Sequence, residues 1–168
     1  MKSPQNPNYD KAKQSAKILR GEVIDLFAQV EHAVGVVLAH AATLPEYQAL
    51  KPKFPHLLGQ KLERLRELMS NGPLKSRGSS IVPLVDKLAS FLDLRHFMVH
   101  GIVDVALKQS GDPIYEFRML RSSDGLSESL TLTRPEVQSR KDRLAGIAKD
   151  LESKLDSISK SFEPKSRG

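Results

Sequence analysis

Apolar residues recur at steps of three and four from about Asp10 to Ala42, where Ile24, Phe27, Val34 and Leu38 mark one stripe and Glu31 falls in the same series. That period is the signature of one face of an α-helix, so the spacing predicts a long first helix. Leu44-Pro45 and the Pro52, Pro55 pair interrupt the pattern, since proline removes a backbone donor and fixes φ. Leu58, Leu62, Leu65 and Met69 resume it and predict a second helix over about Pro55 to Ser70. The stretch SNGPLKSRGSS, residues 70–80, is a basic loop by composition. Loops of this kind can meet a ligand, which makes Lys75 and Arg77 candidate substrate contacts. A third helix is expected from about Ile81 to His100, with Val85, Leu88, Leu92 and Val99 inward and Arg95 on the same stripe. Gly101 then offers a helix stop.

The period changes to two beyond that point. Val103, Val105 and Leu107, then Tyr115, Phe117 and Met119, then Leu130 and Leu132, each alternate with polar or small residues. Ser110-Gly111-Asp112-Pro113 and Ser123-Asp124-Gly125 punctuate the runs. Together they predict a small antiparallel meander over about 102–133. Such a sheet needs a helix or a partner to cover its apolar face. The final helix opens on Thr133-Arg134-Pro135-Glu136, which has the form of a capping box with proline in the first turn. Leu144, Ala148, Leu151, Leu155, Ile158 and Phe162 follow at alternating steps of four and three, the spacing of a coiled-coil seam. This seam serves either a bundle helix within one subunit or a dimer contact.

The expected fold is therefore mainly α, with a small antiparallel β-meander before the last helix. One domain over residues 10–162 is expected, with a flexible arm at 1–9 and a flexible tail at 163–168. The chain has 168 residues, of which 39% are hydrophobic and 27% charged, enough apolar content for a core. It has no cysteine, which excludes disulfides and thiolate metal sites and makes the cytoplasm the expected compartment. No apolar run approaches the ~20 residues of a membrane span, and the polar N-terminus lacks the apolar core of a secretory signal. No membrane association is expected. A net charge of +6 favours anionic partners such as nucleic acid.

Glu31 and Arg95 both fall on apolar stripes, and a lone buried charge costs several kcal/mol. Pairing of the two through a bidentate contact would relieve both. His96 follows Arg95, and His100 comes one turn later on the face of His96. Arg95 and His100 diverge by roughly 140° around the helix, so a second copy of this helix could complete the set. Three polar groups able to handle protons or phosphate, within six positions of an apolar helix, form a candidate site.

The segment LDLRHFMVHG, residues 92–101, resembles the motif of the HEPN superfamily: an arginine, a polar residue directly after it, and a histidine after four to six positions. Four residues separate Arg95 from His100, and His96 fills the polar position. The first helix, GEVIDLFAQVEHAVGVVLAH, and the long last helix are similar to those of the superfamily, and the meander resembles an insertion found in some members. The resemblance implies a HEPN-like four-helix bundle and a metal-independent endoribonuclease needing no cofactor. It implies a homodimer in which Arg95 and His100 of both subunits are catalytic, His96 is a supporting group and Glu31 positions Arg95. RNA is the implied substrate. A toxin or phage-defence role, with an antitoxin or regulatory protein encoded nearby, is implied as well. A non-catalytic dimer binding RNA, a nucleotide or a protein is the alternative. A zinc site on His96 and His100 has the helical i, i+4 spacing but lacks the glutamate of the H-E-x-x-H motif, because Phe97 stands there. No glycine-rich phosphate loop is present, and Ser79 and Ser80 have no evident histidine partner.

Overall fold

The structure, a computed structural model, describes residues 7–50, 55–120 and 124–162. Pro52, Ser123, the arm up to Asn6 and the tail from Glu163 lie outside the described residues. The fold is mainly helical: α1 (Pro7–Ala41), α2 (Leu58–Ser70), α3 (Lys75–Ala89), α4 (Leu92–His100), β1 (Ile102–Leu107), β2 (Pro113–Leu120), β3 (Ser127–Thr133) and α5 (Arg134–Phe162), with short 3-10 turns at Pro45–Leu50 and Gly72–Leu74. The small three-stranded sheet precedes the last helix, as expected.

The chain divides into two compact units. One contains the described residues of Met1–Leu26 together with Asp93–Leu144, and the other those of Phe27–Leu92 together with Ala145–Gly168.

Within the first unit, β1, β2 and β3 pair antiparallel in that order. The register sets Val105 opposite Tyr115 and Val103 opposite Phe117, while Tyr115 faces Leu132 and Phe117 faces Leu130. Alternation therefore puts one row of apolar side chains on one face, where Tyr115, Phe117 and Leu132 are buried. The opposite face carries Ile102, Asp104, Arg118 and Leu120. At the start of α5 the capping box forms. The Thr133 amide donates to Glu136 Oε2 over 2.7 Å, and the Glu136 amide donates back to Thr133 Oγ1 over 3.4 Å.

In the second unit, α2 buries Leu58, Leu62, Leu65, Leu68 and Met69, and α3 buries Ile81, Val85 and Leu88. Residues 75–80, expected as loop, form the first turns of α3. The reason is a close helix contact. Gly78 is buried, and a Cβ there would lie 2.2 Å from the Met69 carbonyl oxygen, so the glycine that looked like a loop residue is what lets α3 approach the end of α2. Buried Tyr47 fastens the preceding turn: its hydroxyl accepts from the Leu74 amide (2.9 Å) and donates to the Asn71 carbonyl (3.2 Å).

Three other expectations are corrected. The single third helix is two, because the chain turns at Ser90-Phe91 between α3 and α4. Helix α1 already includes Pro7, Asn8 and Tyr9, inside the expected arm. The buried stripe of α1 runs through Leu19, Val23, Phe27, Val30, Val34 and Val37. Ile24 and Glu31 flank it, so Glu31 is half-buried rather than central. The same helix is also more apolar than anticipated. An 18-residue window reaches a mean hydropathy of 1.3, enough by length and composition to cross a membrane, and 33% of that window is buried in this fold, Val30, Val34 and Val37 serving the core stripe.

In α5, Leu144, Ala148, Leu151, Leu155 and Ile158 are all buried in the single chain. The seam is thus that of a core helix. Phe162, at its end, is half-buried with its ring edge-on to His40 at 5.8 Å.

Candidate functional site

Helix α4 is short, and its amphipathic pattern decides what it exposes. Leu94 and Met98, four residues apart, anchor it in the core. Arg95, one step round from Leu94, is half-buried at the edge of that anchor. His96 and His100 are exposed on the outer side. Their rings lie 4.9 Å apart between centroids and are inclined by 59°, which is the face-sharing that an i, i+4 pair predicts. Leu92 and Val99, expected inward, are half-buried, because the break at Ser90-Phe91 resets the helix phase relative to α3.

Two features hold the histidine end of α4 in place: Arg20, which the sequence did not single out, and Gly101, expected there as the helix stop. Arg20 of α1 donates from Nη2 to the Val99 carbonyl at 3.0 Å. The last carbonyls of a helix have no partner within it, so a guanidinium there satisfies one of them and fixes the last turn. Gly101 follows at once. Its amide closes the helix by donating to Phe97 O at 2.9 Å. A Cβ at this position would sit 2.5 Å from Phe97 O and 3.4 Å from Arg118 O. Glycine is required here by close backbone approach, as the chain passes directly from α4 into β1 beside β2. The imidazole of His100 is thereby placed at one end of the sheet.

That end carries an open groove lined by His100, Ile102, Arg118, Met119, Leu120 and Ser127, of about 560 Å³. Ile102 and Arg118 are cross-strand partners, as are Leu120 and Ser127. Arg118 forms an ion pair with Asp104, and this hydrogen bond, with the attraction of the same carboxylate, raises the guanidinium pKa further above its ordinary value.

Glu31, Lys75 and Arg77 belong to the other unit. The Glu31 carboxylate accepts a hydrogen bond from Lys61 Nζ at 2.9 Å, an ion pair that the sequence pattern did not single out. Lys61 stands on the flank of α2 between apolar positions, so only packing reveals it. Lys75 and Arg77 are exposed on the first turn of α3, and Arg77 Nη1 donates to Ser157 Oγ at 3.3 Å. They form part of a helix surface rather than of the basic loop that made them candidates.

Among the described residues, no group of three or more histidine, cysteine, aspartate or glutamate side chains is arranged to hold a metal ion. The arrangement around α4 offers two imidazoles and nearby guanidinium groups in solvent reach, a set suited to proton transfer on a phosphate ester. No family model, curated protein or solved structure matches the chain, so the chemistry of the site stands on these residues alone.

Proposed function

We propose that the protein is a metal-independent endoribonuclease of HEPN type, in which Arg95 and His100 from two subunits act on one phosphodiester. The observation that carries this reading is the exposure of His96 and His100 as an inclined, neighbouring pair on the helix that also carries Arg95, with the helix end fixed by Arg20 and Gly101. Core histidines would be buried and satisfied. These face solvent on a rigid support, which is what a site working on a polymer requires.

RNA supplies its own nucleophile. A base takes the proton of the 2′-hydroxyl, and the oxygen attacks the adjacent phosphorus. The bond to the 5′-oxygen breaks as an acid donates a proton to it, leaving a 2′,3′-cyclic phosphate. Imidazole suits both tasks, because as a class it titrates near pH ~6.5. In a symmetric pair, one His100 serves as base and the other as acid. Arg95 stabilises the charge that accumulates on the phosphate oxygens, and His96 supports the substrate or its neighbour imidazole. The helical body is then a HEPN-like bundle carrying the meander as an insertion. The cellular setting proposed is cytoplasmic, as a toxin or defence effector silenced by an antitoxin or regulatory protein encoded nearby.

Labelled RNA incubated with purified protein and chelator tests this. Wild type is expected to cleave RNA and to spare the matching DNA. Arg95→Ala and His100→Ala are expected to lose about 10²–10⁴-fold in rate while keeping the native circular dichroism spectrum. Undiminished cleavage by both variants refutes the assignment. Binding of RNA by wild type without any cleavage favours a non-catalytic binding module.

A further inference from the structure

We infer that the groove at the α4 end of the sheet is a nucleotide subsite, which seats the RNA residue next to the scissile phosphate and gives the enzyme its grip on single-stranded substrate. This rests on the ribonuclease reading of His100. The sequence motif does not contain the site: apart from His100, its walls come from the meander.

Composition of the walls argues for this occupant. Ile102 and Leu120 are 70% and 73% exposed and lie on the same face of the sheet at one end. They form an apolar surface, open to one side, against which the flat face of a base can lie. The polar part of the lining consists of Arg118, Ser127 and the His100 imidazole, with no carboxylate among the described lining residues. Apolar wall, cation and hydroxyl match base, phosphate and sugar in one nucleotide.

Arg118 is held rather than spent. Asp104 takes up one terminal nitrogen, while the side chain remains about half exposed and keeps further donors for a phosphate. The ion pair fixes the direction of the guanidinium, which reduces the entropy lost on binding. His100 closes the groove at the helix end, so a nucleotide seated on Ile102 and Leu120 places its neighbouring phosphate at the imidazole. An ordered duplex could not turn a base onto this wall, so the groove selects single strands.

The test separates the ionic from the apolar contribution and keeps both apart from catalysis. A fluorescent ten-residue RNA with 2′-O-methyl groups throughout cannot be cleaved by the proposed route, and its binding is followed by anisotropy over a salt series. Each phosphate contact on a single strand contributes a slope of about −0.7 in log K against log salt. Arg118→Ala is expected to flatten the slope by about that amount, and Arg118→Lys to retain it. Ile102→Ser with Leu120→Ser is expected to weaken binding about tenfold with the slope unchanged. Thermal melts confirm that each variant folds. Wild-type-like affinity and slope in all three, or no binding by wild type, overturns the subsite. Cleavage of unmodified RNA is scored in parallel. If wild type cleaves and the groove variants bind and cleave as it does, the subsite fails while the ribonuclease stands. If wild type binds through the groove and never cleaves, the ribonuclease fails instead.

Discussion

Helices α4 and α5 flank the same small sheet in the chain, yet they spend their residues in opposite ways. Helix α5 repeats Leu144, Ala148, Leu151, Leu155 and Ile158 along its length and buries every one. It begins on a reciprocal cap, with both orphan donors satisfied. Helix α4 has nine residues and buries Leu94 and Met98 only. It keeps two imidazoles in solvent, and its last turn depends on a guanidinium from α1 and on a glycine with no room for a side chain. The first helix is organised for stability and the second for presentation. Changes in α5 should therefore cost folding, and changes on the outer side of α4 should cost activity alone.

The sharpest break between the two is expected from Arg95→Ala and His100→Ala. On the proposed reading both should lower RNA cleavage by about 10²–10⁴-fold, with melting temperature close to wild type for the exposed His100 and lower for the half-buried Arg95, as read by calorimetry beside the cleavage assay. Leu151→Ala should do the reverse. Removing a fully buried leucine costs about 2–5 kcal/mol, measured by urea unfolding, while the folded fraction retains its specific activity. Gly101→Ala joins the two effects. Its Cβ must displace the Phe97 carbonyl, which is expected to cost about 1–3 kcal/mol and to move His100, so stability and cleavage fall together.

Smaller effects sharpen the comparison at the sheet itself. The Tyr115 hydroxyl is buried and has no hydrogen-bond partner among the described residues. Tyr115→Phe is therefore expected to leave stability unchanged or raise it by about 1 kcal/mol, since the unsatisfied group is removed and the ring kept. A large loss on denaturation would show that the hydroxyl has a role in the core. The smallest effect belongs to the α5 cap. Hydrogen bonds from the Thr133 amide and hydroxyl hold the Glu136 carboxyl below its ordinary pKa. A lowered folded-state pKa stabilises above the unfolded value, near ~4.3 for glutamate, and that contribution fades as pH falls through the lowered one. Glu136→Gln should thus lower the melting temperature slightly at neutral pH, with the difference vanishing in strong acid.

These two helices also mark how far a sequence can be read. Helix α5 was legible because a cap, a proline and an unbroken seam all point to one structure. The meander was legible because its period is two and its turns carry glycine, aspartate and proline. The start of α3 was hidden, because Gly78, Ser79 and Ser80 look like loop until the Met69 backbone is placed against them. The turn between α3 and α4 was hidden as well, because apolar spacing continues across Ser90-Phe91. In α1, adjacent apolar residues at Val23 and Ile24 left the stripe uncertain by one position, and this moved Glu31 from the centre of the buried face to its edge. The pairing of His96 with His100 followed from helix spacing. Arg20, Lys61 and the groove of Ile102, Arg118 and Leu120 did not, since each depends on contacts between residues far apart in the chain.

Dilution of the protein while its association state is followed by sedimentation and its cleavage of labelled RNA is followed in chelator tests the proposed shared site most directly. If guanidinium and imidazole groups of two subunits converge on one phosphodiester, turnover per subunit falls in step with the dimer fraction measured by sedimentation, and the products end in 2′,3′-cyclic phosphate. Turnover that persists unchanged in the monomer, or its absence at every concentration, contradicts the composite site.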